Sequence, residues 1–202
     1  MASVSCKCGE VKISFPVSDK PRVHSICCCD DCQKRVSHLA TLGGKPLGDI
    51  FALGTGVEVV NFEGQLKVDR GLNLLYFYRL RTDTNMVNVG CKCCHSYMIA
   101  RNTDFHGNSV ATLPQFANVE GDLAGKSIQF VSFRQFWPVE MKLPEGVPEF
   151  WKAEDGKNFD GSPGFEKAMK EAFGANLLPF SKKIEGTITF DELIQGVTIV
   201  TV

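Results

Sequence analysis

Cys27-Cys28-Cys29-Asp30-Asp31-Cys32 packs four thiols into six consecutive positions of a 202-residue chain. Two further knots, Cys6-Lys7-Cys8-Gly9 and Cys91-Lys92-Cys93-Cys94-His95, hold the other five of the nine cysteines. Free cysteine packs like a small hydrophobe, but burial alone would scatter nine of them, and these fall into three clusters. C-x-C and C-x-x-C spacings in a chain whose thiols stay reduced read as metal ligands and not as a disulfide framework. Zinc takes thiolate sulfur in tetrahedral geometry at about 2.3 Å, and such short turns offer it two sulfurs at once. Gly9 supplies the tight turn after the first knuckle.

Around the clusters the pattern is that of a mainly β protein. Val11 to Phe15 alternates apolar and polar residues and stops at Pro16, as a strand does. Val57 to Asn61, Gly64 to Val68, Leu74 to Leu80, Tyr97 to Ala100, Ser109 to Leu113 and Ile128 to Phe133 are further strand candidates, and short strands at this density predict small antiparallel sheets. Asp31 to His38 predicts one short helix. The segment after Trp137 is broken by Pro144, Pro148, Gly156, Gly161 and Pro163. Phe165 to Phe173 then has the spacing of an amphipathic helix, and Ile184 to Phe190 and Val197 to Val202 predict two final strands. The expected organisation is a zinc-binding domain over 1–155 with a helix-plus-strand extension over 156–202, packed on it.

Charge is nearly balanced, 22 Lys and Arg against 23 Asp and Glu, which argues against a nucleic-acid partner. The N-terminus shows no apolar run of signal-peptide length, and no stretch approaches the ~20 apolar residues of a membrane helix. The expectation is a soluble, cytoplasmic protein without a membrane partner.

The clusters divide into two zinc sites per chain. Cys6 and Cys8 with Cys91 and Cys94 would close a structural four-thiolate site between segments far apart in sequence. Cys27, Cys29 and Cys32 supply three ligands with an open fourth position, the arrangement of a catalytic zinc. Cys28 and Cys93 sit between residues whose side chains converge elsewhere, which predicts that neither is a ligand. Two structural zincs, or one zinc with spare thiols, is the alternative that spacing leaves open.

The order C-x-C-G, C-x-C-x-x-C-Q-K, C-x-x-C-x-S resembles the glutathione-dependent formaldehyde-activating enzyme family, which includes centromere protein V-like members. The matching pieces are Cys6 to Val11, Cys27 to Lys34 and Cys91 to Met98, with a looser likeness over Phe136 to Pro144. The resemblance covers about residues 4 to 152. It implies small β-sheets pinned by zinc, a fold shared with a Rab-interacting zinc chaperone, and carbon–sulfur bond chemistry with S-hydroxymethylglutathione as product. It also implies that Cys6, Cys8, Cys91 and Cys94 are structural ligands and that Cys27, Cys29 and Cys32 are catalytic ones. The chain departs from the family where Cys28 replaces a usual His, at His95, and near Ser37-His38, where a glycine is usual.

A zinc held by three thiolates is a weak Lewis acid that keeps a bound thiolate nucleophilic. A thiol substrate, glutathione among the candidates, would lose its proton there and attack an electrophilic carbon such as formaldehyde; the reverse reaction is C–S cleavage. His24, His38 and His95 are candidate proton carriers. Lys34, Arg35, Arg79 and Arg81 are candidate partners for substrate carboxylates, and Phe133, Phe136 and Trp137 are candidate pocket walls. The rival reading is a non-enzymatic zinc scaffold that binds a protein partner.

Overall fold

The computed structural model describes residues 1–17, 21–45, 56–103, 107–122, 127–133, 145–147, 170–171 and 183–202. In chain order the strands are β1 (Ala2–Ser5), β2 (Lys12–Phe15), β3 (Val23–Cys27), β4 (Val57–Glu63), β5 (Gln65–Arg70), β6 (Leu75–Arg79), β7 (Met86–Cys91), β8 (Tyr97–Asn102), β9 (Ser109–Thr112), β10 (Asn118–Glu120), β11 (Phe130–Ser132), β12 (Ile188–Thr189) and β13 (Val200–Thr201). Helix α1 spans Asp30–Leu42 and α2 spans Phe190–Ile194. The mainly β expectation holds, with antiparallel pairing dominant.

Alternation within the strands decides where each sheet lies. The order β10-β1-β2-β5-β12 makes a five-stranded antiparallel sheet. The order β11-β3-β4-β9-β8-β7-β6-β13 makes an eight-stranded one, parallel only at its two outer joins. Leu75 and Phe77 of β6 point into one apolar cluster together with Val60, Phe62, Val87 and Val89, and the smaller sheet meets them there with Val4, Ile13, Phe15 and Leu66. Phe15 stacks on Phe62 across this interface, with ring centroids 4.8 Å apart. The intervening Tyr76 and Tyr78 face the opposite way, into a second cluster with Val36 and Leu39 of α1. The large sheet is thus covered on one face by the small sheet and on the other by α1.

Helix α1 is longer than the sequence reading, because Leu39 continues the buried stripe Cys32, Arg35, Val36, Leu39 at i, i+3, i+4, i+7. Asp30 and Asp31 occupy its first turn, where the helix dipole favours negative charge. Gly90 in β7 lets the helix lie close, since a Cβ there would sit 2.6 Å from Leu39 Cδ2.

The expected strand over Ile184 to Phe190 shrinks to Ile188–Thr189. Thr189 and Glu192 form a capping box that starts α2 at Phe190. Phe190 and Leu193 join the core between the sheets, while β12 pairs with β5 and β13 with β6. Most of the expected helix over Phe165 to Phe173, and Phe136 and Trp137, lie outside the described residues.

Candidate metal centres

The first centre forms where the turn after β1 meets the turn after β7. Gly9, at φ +83°, lets its N–H donate to the Cys6 carbonyl at 2.9 Å, and the Val11 N–H donates to Cys6 Sγ at 3.2 Å. In the partner turn the His95 N–H donates to the Cys91 carbonyl at 3.1 Å, with His95 itself at φ +55°. Ser96 joins the two knuckles: its Oγ accepts from the Lys7 N–H at 2.9 Å and lies 3.1 Å from Cys94 Sγ. Asn118 Nδ2 donates to the Cys6 carbonyl from a third segment.

Five sulfurs gather here. Those of Cys6, Cys8, Cys93 and Cys94 lie within 4.8 Å of one another. Cys6 and Cys8 are 3.4 Å apart, Cys8 and Cys93 3.5 Å, and Cys6 and Cys93 3.8 Å. Cys91 Sγ is 3.5 Å from Cys94 Sγ. A tetrahedral ion with bonds of about 2.3 Å spaces its sulfurs by about 3.8 Å, so the set fits a single ion. The sequence reading paired Cys91 with Cys94 and left Cys93 out, whereas the mutually close set takes in Cys93, on the exposed side of the turn, with Cys91 buried behind it. Burial opposes ionisation of Cys94, but Ser96 and Cys8 outweigh it and bring the thiol down to about 6. Cys93 is pushed up by burial and by the neighbouring sulfurs.

The second centre is local. Cys27 ends β3, Cys29 caps α1 by accepting from the Cys32 N–H at 3.3 Å, and Cys32 sits buried in the first turn. Their three sulfurs lie within 4.8 Å of one another, with Cys27 and Cys29 3.3 Å apart. Sulfurs this close do not all ionise by themselves. Hydrogen bonding from Cys29, then Cys32, holds the Cys27 thiol well below its ordinary value, while Cys27 pushes Cys29 up to about 12 and Cys32 well above the thiol range. A cation at the centre of the triangle removes that conflict. Cys28 is fully buried in the second apolar cluster and stands outside the triangle.

The proposed proton carriers are dispersed. His24 Nε2 is 2.7 Å from Glu58 Oε1. His38 Nε2 is 3.1 Å from Tyr76 Oη, and its ring packs on Tyr76 and Tyr78. His95 lies against Gly43 at the C-terminal end of α1, about 20 Å of helix from Cys29. No histidine belongs to either sulfur group among the described residues. Of the proposed carboxylate partners, Lys34 is exposed, and Arg81 Nη1 donates to both Asp31 carboxylate oxygens at 2.8 and 2.9 Å. Arg35 is buried, and Phe133 packs against the second apolar cluster, as Cys27 and Cys29 do. No helix among the described residues is long and apolar enough to cross a membrane.

Comparison with protein-family models and with curated proteins returns no match. The functional reading therefore rests on these residues.

Proposed function

We propose that this chain is a zinc-dependent carbon–sulfur enzyme, similar to the formaldehyde-activating family, acting on a small thiol or a thiol adduct such as S-hydroxymethylglutathione. The observation that carries the reading is the three-sulfur triangle of Cys27, Cys29 and Cys32, from which the adjacent fourth cysteine, Cys28, is turned away into the core. Three ligands leave a position for substrate, whereas the five-sulfur centre has more donors than a tetrahedral ion needs and suits a structural role. Zinc bound by the triangle supplies a site at which a substrate thiol is held as thiolate near neutral pH.

The chain's own residues divide the remaining work. Cys29 ties the triangle to the rigid start of α1 through its cap, and Cys32 anchors it to the buried stripe. Phe133, just after β11, packs half-buried on the apolar cluster that also takes in Cys27, Cys29 and Cys32. Of the three candidate proton carriers, His38 shares α1 with the triangle and carries a hydrogen-bonded Tyr76, so it is the best placed to move a proton. His95 sits beside the five-sulfur centre and is assigned a packing role. A reducing compartment such as the cytoplasm keeps nine thiols in the required state.

The deciding experiment is consumption of a glutathione–formaldehyde adduct by zinc-loaded protein, followed by NMR, for wild type and Cys29→Ser. Turnover by wild type and its loss in the folded variant is the expected result. A folded, zinc-loaded wild type that turns over no thiol adduct overturns the enzymatic reading in favour of the scaffold.

A further inference from the structure

Arg35 is the one charged residue on the buried stripe of α1. It follows Cys32 by three residues on the face that otherwise presents Cys32, Val36 and Leu39 to the core, and only 6% of it reaches solvent. A buried guanidinium is costly unless it is paired. Its Nε donates to the Asp31 carbonyl at 3.1 Å, but the Asp31 carboxylate is committed to Arg81. No carboxylate among the described residues forms an ion pair with Arg35. The bond to the Asp31 carbonyl holds the guanidinium at the first turn of α1, between the Cys29 cap and Cys32, on the same buried face as Cys32. Burial works against its charge, yet the attraction of Cys32, then of Tyr97, Cys29 and Cys27, outweighs that cost. Tyr78 Oη donates to its carbonyl at 2.6 Å, which fixes the backbone of the residue in place.

Charge counting gives this placement a purpose. A divalent ion held by three thiolates carries one net negative charge, which Arg35 cancels. A fourth, anionic sulfur ligand would otherwise bring a second uncompensated negative charge into a half-buried site. An opposite charge at close range favours the ionised form of a group by roughly 10- to 1000-fold. We propose that Arg35 is the built-in counter-ion of the three-cysteine centre, and that its charge lets the centre accept an anionic thiolate at the open position in preference to a neutral ligand. The inference deepens, and rests on, the reading of that centre as an open thiol-binding zinc site. Arg35 is a positioning residue in this role, and it does not act as a surface clamp for substrate carboxylates.

Cobalt(II) in the full chain reports on the role directly, through thiolate-to-metal charge-transfer absorption. The signal of the three-cysteine centre is the difference between each protein and the same protein carrying Cys29→Ser. Wild type, Arg35→Lys and Arg35→Met are titrated with chelator, then with 2-mercaptoethanol and, separately, imidazole. Arg35→Met is expected to lose at least 10-fold in cobalt affinity at this centre and at least 10-fold in preference for thiol over imidazole. Arg35→Lys should recover most of both. Should Arg35→Met lose its far-UV dichroism, Arg35→Gln takes its place under the same criteria. A folded, uncharged variant that matches wild type in both measurements overturns the proposal, as does Arg35→Lys failing as completely as Arg35→Met. Thiol binding with the expected charge dependence, but no C–S turnover, leaves the role of Arg35 standing and removes the enzymatic reading. Full-rate turnover by Arg35→Met does the reverse.

Discussion

Gly90 and Leu39 meet where α1 rests on the large sheet, and the contact leaves no room for a side chain: a Cβ at Gly90 would lie 2.6 and 2.9 Å from the two Leu39 methyls. Leu39 is buried and cannot swing into solvent, so Gly90→Ala is expected to cost about 1–3 kcal/mol, measured by urea unfolding of the metal-loaded protein. A second prediction follows from five sulfurs standing where a tetrahedral ion needs four. Cys91→Ser leaves the mutually close set intact, and Cys93→Ser leaves Cys91 within 3.5 Å of Cys94 to replace it. Each single variant should keep its zinc by elemental analysis, and the double variant should lose one ion; loss in the Cys93→Ser protein alone would make Cys93 an obligatory ligand. At this scale the triangle Cys27, Cys29, Cys32 was legible in sequence, because its spacing is local and the chain has few ways to arrange it. Cys93 and Arg35 were not. Which sulfur of a knuckle turns inward depends on a backbone turn, here with His95 at positive φ. Whether an arginine is solvated depends on which helical face is covered, and that is a tertiary fact.

Strands with one apolar face were readable as elements, and β2, β4, β5, β6, β8, β9 and β11 all lie in or near segments marked by alternation. Two of the strands that escaped, β1 and β7, carry polar or small residues on a face that is nonetheless covered. In β7, Val87 and Val89 enter the core while Asn88 and Gly90 lie under Tyr97 and Leu39, so two valines alone carry its apolar signal. The strand expected over Ile184 to Phe190 gives way to α2 because Thr189 and Glu192 close a capping box. Two of these elements also set how each metal centre fails. Cys6 and Cys8 tie the turn after β1 to the turn after β7, so metal binding there is largely folding energy. Cys27, Cys29 and Cys32 hold only the junction of β3 and α1. Replacing Cys6 and Cys8 together by Ser should give protein without cooperative thermal unfolding, whereas Cys29→Ser should keep wild-type far-UV dichroism and lose one zinc. Equal loss of structure in both variants would mean that the two centres do not differ in kind.

Helix α1 links the two centres: Cys29 caps its N-terminus, and the ring of His95, beside Cys94, packs on Gly43 at its other end. Thirteen residues of helix span about 20 Å, roughly twice the screening length at physiological ionic strength. The ions should therefore not sense one another's charge appreciably, and any coupling between them must pass through the folding of the helix and the sheet beneath it. That sheet carries the apolar cluster shared with the small sheet, and the C-terminal segment closes it by adding β12 to one sheet and β13 to the other. Loss of an ion from the triangle would leave this core and the five-sulfur centre in place. Loss of an ion from the five-sulfur centre would release the turn between β1 and β2, and with it the register of the small sheet. Chelation should therefore proceed in two phases. In the first, one equivalent of zinc leaves with far-UV and near-UV dichroism unchanged. In the second, the remaining equivalent leaves together with the near-UV signal, at a rate that rises with urea because it follows unfolding. Zinc release is read by a chromophoric chelator in the same cuvette as the dichroism. A single phase, with both equivalents and the near-UV signal lost together, would show that the three-cysteine centre is as much a part of the fold as the other.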